Sequence, residues 1–191
     1  TEQIEWIEIA GGAHVRTNGN LLYVSSGSNS ISTVSGAGTR LAVDASTSSD
    51  LVIESLQLFG GGRLQMAGGS AYAYGDLTIF DGQLDGYGSL DLTGDLSNAG
   101  HIEAAQGTLT LRSDGGTIDL DGNTGLGSVR VGPNATLVVD GGFPGLFDGP
   151  MELGFGSTLR MEQEWSYDGA FGDLVVAAGS GEARIEGPAF N

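Results

Sequence analysis

Two stretches decide the fold: Gly88-Ser89-Leu90-Asp91-Leu92 and Gly107-Thr108-Leu109-Thr110-Leu111. Each is a glycine, a small polar residue, and then apolar–x–apolar. Alternation with period two marks a strand with one buried side, because successive strand side chains point to opposite faces. Leu109 and Leu111 are therefore expected inside, and Thr108 and Thr110 in water. The glycine ahead of each run supplies a corner, since it tolerates positive φ.

Outward from these two, the same pattern returns. It stands at Asn20-Leu21-Leu22-Tyr23-Val24, at Gly38-Thr39-Arg40-Leu41-Ala42-Val43 and at Gly62-Arg63-Leu64-Gln65-Met66. Later copies are Asn134-Ala135-Thr136-Leu137-Val138-Val139 and Gly156-Ser157-Thr158-Leu159-Arg160-Met161. The first apolar anchors sit at 22, 41, 64, 90, 109, 137 and 159. Their gaps are 19, 23, 26, 19, 28 and 22, averaging close to 23. Helix signals are weak, because glycine interrupts almost every window at about 1 kcal/mol per interior helical position. A period in the low twenties, made of short strands with glycine-rich corners, predicts a β-solenoid. The expected fold is all-β: a single-stranded right-handed parallel β-helix with coils of about 19–28 residues. Stacked at ~4.8 Å, about eight or nine such coils make a rod on the order of 40 Å tall. The alternative is a β-sandwich, which also alternates. Asp-Gly pairs at 81–82, 121–122, 148–149 and 168–169 are the hairpin signals that keep it open. Residues 1–191 read as one domain, with an irregular loop insertion near 141–152.

Composition narrows the function. The chain has 35 Gly and no Cys, and its seven basic residues are all Arg against 24 acidic ones, for a net charge of −17. Glycine does not recur every third residue, which excludes collagen. Without Cys there is no disulfide frame, thiol nucleophile or Cys-ligated zinc. Without Lys there is no phosphate-loop or Schiff-base lysine. A charge of −17 opposes binding to nucleic acid. No apolar run approaches the ~20 residues of a membrane helix, so no direct membrane insertion is expected of this segment. No cofactor motif is present.

A family resemblance adds to this. The stretches Val34-Ser35-Gly36-Ala37-Gly38-Thr39-Arg40-Leu41 and Leu56-Gln57-Leu58-Phe59-Gly60-Gly61-Gly62-Arg63-Leu64-Gln65-Met66-Ala67-Gly68-Gly69 resemble passenger-associated repeats of autotransporters, the type V secreted proteins. So does the run from Gly88 to Ile102 followed by Gly107 to Leu111. The resemblance covers roughly residues 20–140. It implies a right-handed parallel β-helix exported across an outer membrane, hence secreted or displayed on a bacterial cell surface. It also implies an adhesive or biofilm role rather than catalysis. The missing Cys is consistent with export of an unfolded chain through a narrow pore.

Candidate sites are few. Asp81, Asp85, Asp91 and Asp95, with Asp76 and Glu103 near them, fall in a stretch from Leu64 to Leu111 that has no basic residue. Stacked carboxylates could hold Ca²⁺, which takes oxygen ligands; a solvated acidic face is the plainer reading. Asp119-Leu120-Asp121-Gly122-Asn123 opens like a helix–loop–helix calcium loop. Its sixth position is Thr124 and its twelfth Arg130, so the match fails. Glu162, Glu164, Trp165, Tyr167 and Asp168 form the best ligand-like cluster, with aromatic faces for sugar stacking and carboxylates for hydroxyls. An edge strand with an aromatic turn is the structural alternative. The seven Arg neighbour apolar strand residues and are expected to lay their stems over the core, not to build an anion site. His14 and His101 read as isolated surface or corner residues. The expected role is adhesion, self-association or biofilm formation, with a cell-surface glycan or protein, or another copy of the chain, as partner. The alternative is a carbohydrate-binding or carbohydrate-active β-helix, like a phage tailspike depolymerase.

Overall fold

The computed structural model describes residues 5–18, 20–24, 30–45, 51–121, 126–142, 146–147, 149–163, 166–167, 174–176 and 182–187. Among them there is no helix, and every strand pairing is parallel. The strands stack as a β-solenoid with three faces.

The first face carries His14–Arg16, Arg40–Asp44, and the leading halves of three long strands, Arg63–Ala73, Gln83–Leu92 and His101–Asp119. Ser128–Val131, Met151–Leu153 and Leu174–Val176 continue it. The second face carries Leu22–Val24, Leu51–Ile53, later stretches of the same long strands, Thr136–Gly142, Thr158–Met161 and Arg184–Glu186. The third carries Glu8–Ile9, Ile31–Ser35, Ser55–Phe59, Leu77–Ile79, Leu96–Asn98 and the end of His101–Asp119. About six turns thus close on all three faces. That is fewer than the eight or nine expected from length, because the later coils are described on two faces only.

In-register stacking sets the core. On the first face Val15, Leu41, Leu64, Leu84, Ile102, Val129, Met151 and Leu174 lie one above another. Their spacings in sequence are 26, 23, 20, 18, 27, 22 and 23. From Leu41 to Met151 the column is buried. The second face stacks Leu51, Ala71, Leu90, Leu111, Val139 and Met161, again buried. Each large aliphatic in such a column contributes about 1.5–3 kcal/mol by leaving water. Leu109 and Leu111 are buried, while Thr108 is exposed and Thr110 half-buried.

The repeated anchors do not form one column. Leu41 and Leu64 stack on the first face, whereas Leu90, Leu109, Leu137 and Leu159 belong to the second. Both faces begin with a glycine or asparagine corner, so one motif serves two positions in the coil.

The first face passes into the second through bulges. In Gln83–Leu92 the register shifts near Gly86 and Gly88, which have φ of 114° and 131°. A β-bulge bends the strand and frees one residue from the ladder. The third-face strand Leu96–Asn98 ends on a polar residue. Asn98 is fully buried and donates to the carbonyls of Leu120 at 2.6 Å and Ser128 at 3.4 Å, while its Oδ1 accepts from the Gly100 amide. A buried amide with both ends bonded ties the corner without leaving a polar group unsatisfied. Within the expected loop near 141–152, Leu146–Phe147 leaves the main stack and pairs with Ser166–Tyr167 in a separate two-stranded sheet.

Candidate functional site

The outward positions of the first face form two rows. One runs His14, Arg40, Arg63, Gln83, His101, Ser128. The other runs Arg16, Ala42, Gln65, Asp85, Glu103, Arg130, Glu152, Val175. Four of the seven Arg and both His therefore share one face. In a chain of net charge −17, this face is nearly balanced.

Charges pair between coils. Arg63 grips Asp85 through Nε and Nη2, and that carboxylate is 1% exposed. The fork raises the guanidinium pKa further, with the hydrogen bond as the main cause. Arg130 bridges two rungs, with Nη1 at 2.8 Å from Glu103 Oε1 and Nε at 3.4 Å from Glu152 Oε1. Arg16 holds Asp44 at the rim, and its hydrogen bonding lowers the carboxyl pKa. His101 Nδ1 meets Ser128 Oγ at 2.8 Å. Burial lowers the His101 pKa, although Glu103 lies 3.9 Å from its Nε2. Arg40 differs. Its Nη1 donates to the neutral Gln65 Oε1 at 3.1 Å, and its buried Nε finds no partner.

Two open pockets lie on this face. One, of about 330 Å³, is lined by His14, Gly38, Thr39, Arg40, Gly61, Arg63 and Gln83. The other, of about 220 Å³, is lined by His101, Ser128, Val129, Arg130, Pro150, Met151, Glu152 and Val175. On the second face Arg112 sits between Asp91 at 3.7 Å and Asp140 at 3.1 Å. Partial burial raises the Asp91 pKa despite that cation.

The aspartates singled out as metal ligands are spread around one coil rather than stacked. Asp85 is on the first face and Asp91 on the second. Asp81 and Asp95 sit at turns, where Asp81 accepts from the Gly60 amide and Asp95 from the amide and hydroxyl of Thr117. Asp76 likewise accepts from the Asp95 amide at 2.9 Å. These carboxylates thus tie turns of adjacent coils. Among the described residues no three His, Cys, Asp or Glu are grouped to hold a metal ion. Asp119 and Asp121 are buried, and the Asp121 amide donates to Asp119 Oδ1 at 3.2 Å.

Of the sugar-binding cluster, Glu162 pairs with Arg160 at 2.7 Å. Tyr167 is described by its backbone alone, paired to Phe147. Glu164, Trp165 and Asp168 lie outside the described residues.

The sequence reading did not bring the Arg and His together. A signal existed: Arg16/Asp44, Arg63/Asp85 and Glu103/Arg130 are separated by 28, 22 and 27 residues, each one coil. Compared with known proteins, the chain matches no family model, no curated sequence and no solved structure.

Proposed function

We propose that the protein is an exported, extracellular β-solenoid of autotransporter-passenger type, with an adhesive or self-associating role. One observation carries the reading: the first face presents charged side chains from successive coils in register, with two open pockets on the same surface. A flat ladder of this kind suits repeated weak contacts with another surface, where avidity rather than a single deep cleft supplies the strength. The absence of Cys in the whole sequence supports export without disulfides.

The test uses beads coated with the protein and a panel of cell-surface glycans, matrix proteins and bacterial cells under flow, alongside light scattering over a wide concentration range. The expected result is retention well above beads coated with an unrelated acidic protein, or concentration-dependent association. Background retention on every surface, together with a strict monomer, refutes the proposal.

A further inference from the structure

We propose that the pocket formed by His14, Arg40, Arg63 and Gln83 is a binding site for a single carboxylate carried on a hydroxyl-rich ligand of the hexuronate class. The proposal rests on the first face being a binding surface, not on the adhesive role itself.

The charge pattern carries it. Among the described residues, Arg16, Arg63, Arg112, Arg130, Arg160 and Arg184 each have a carboxylate within 4 Å, and Arg40 has none. Acidic residues outnumber Arg by 24 to 7, so an unpaired Arg goes against the composition. A guanidinium does not deprotonate in a protein, so its charge must be answered by water or by a ligand. Its one protein partner is neutral Gln65, and its Nε is buried without a partner. Arg40 stands directly below Arg63 on the outward row and lines the pocket with it.

The pocket chemistry narrows the ligand. Arg63 is gripped by Asp85 and Arg16 by Asp44; Arg40 feels Asp44 only through space and has no carboxylate in ion-pair contact. One positive charge fits one carboxylate. A densely charged polyanion would meet the −17 field of the chain. The remaining lining is Gln83, His14, two glycines and the buried Thr39, whose Oγ1 already accepts from the Gly12 amide; Gln83 and His14 are left to meet hydroxyls, and no aliphatic side chain lines the pocket. His14 Nε2 donates to the Gly38 carbonyl at 2.9 Å, which orients the ring at the rim. The volume of about 330 Å³ is at the small end of ligand pockets, which suits one sugar ring rather than an oligomer.

Calorimetric titration with sodium glucuronate, sodium acetate and glucose at constant ionic strength tests this, on the wild type, Arg40→Gln and Arg112→Gln. Glucuronate is expected to saturate the wild type and Arg112→Gln. Acetate is expected to bind at least about tenfold more weakly, and glucose not at all. Arg40→Gln should weaken glucuronate by about tenfold or more, the size of a lost charge-assisted hydrogen bond. In the wild type the His14 ring resonances should move on adding glucuronate, a readout that needs no variant to fold. No saturable binding, equal binding of acetate, unchanged affinity in Arg40→Gln, or still His14 resonances each overturn the site. Glucuronate binding with background bead retention and a strict monomer sinks the adhesive or self-associating role and leaves the site standing. Retention without glucuronate binding does the reverse.

Discussion

Gly86 gives the most demanding test of the stacked register. It sits mid-stack, paired with Met66 below and Ala104 above, at φ 114°. A Cβ placed there would lie 1.8 Å from the Met66 carbonyl oxygen. Gly86→Ala therefore combines two costs. The backbone conformation costs an L-residue about 1–3 kcal/mol. Relieving the clash forces the rung apart, an overpacking cost of about 1–3 kcal/mol, with backbone hydrogen bonds at ~0.5–1.5 kcal/mol each also at risk. The two costs together come to about 2–6 kcal/mol before any lost hydrogen bond, a large share of a typical ~5–15 kcal/mol stability. Two comparison variants separate the costs. Gly115 has φ 100° and open space within 4 Å, so Gly115→Ala carries the conformational cost alone. Gly127 has no positive φ, but a Cβ there would lie 1.9 Å from the Asn98 carbonyl oxygen, so Gly127→Ala carries the clash alone. Urea unfolding followed by far-ultraviolet circular dichroism should rank Gly86→Ala well below both. A Gly86→Ala midpoint equal to that of Gly115→Ala refutes the close stacking of the Met66 and Gly86 rungs.

Two further outcomes follow from the first face. Arg63→Gln strands the buried Asp85 carboxylate and should cost about 1–3 kcal/mol, below the deep-burial figure because Arg63 is itself partly exposed. Adding Asp85→Asn should restore most of it; a double variant as unstable as the single one means that the pair is not the cause. His101 sets a pH dependence. Its folded pKa lies below its unfolded value of ~6.5, so the unfolded chain binds more protons just below that pH. Its contribution is fully present above ~6.5 and is lost as pH falls through the folded pKa, at up to about 1.4 kcal/mol per pH unit. Glu103, Asp85 and Glu152 oppose that shift and Arg130 reinforces it, with burial the larger effect. His101→Gln should flatten the slope of stability below pH ~6.5, and an unchanged slope assigns it to other groups.

The sequence made the period and the inside–outside alternation legible, because a strand with one buried side writes its geometry directly as Leu–x–Leu. Coil lengths of 18–27 residues along the first column match the expected range closely. The face of each anchor was not legible. Leu64 and Leu90 follow the same glycine motif yet stack on different faces, since the sequence does not say which corner of the coil a glycine turns. The same ambiguity hid the pocket. Arg40 and Arg63 meet because one coil takes 23 residues, and Asp85 joins them because it lies 22 residues beyond Arg63, two past the register partner Gln83. Variable coil length scrambles such contacts in sequence while leaving them adjacent in space. The aspartates from 81 to 95 show the converse: they are close in sequence, yet one coil distributes them over two faces and two turns.

The central claim is that the first face is the working surface. It is tested most directly by bead retention under flow with reversal of paired charges on one face at a time. Arg130→Glu with Glu103→Arg and Glu152→Arg should keep the folded state but alter the ladder, and Arg112→Asp with Asp91→Arg and Asp140→Arg does the same on the second face. The account predicts that retention falls at least several-fold for the first-face swap and holds for the second-face swap. Equal retention for both, or loss confined to the second-face swap, contradicts it.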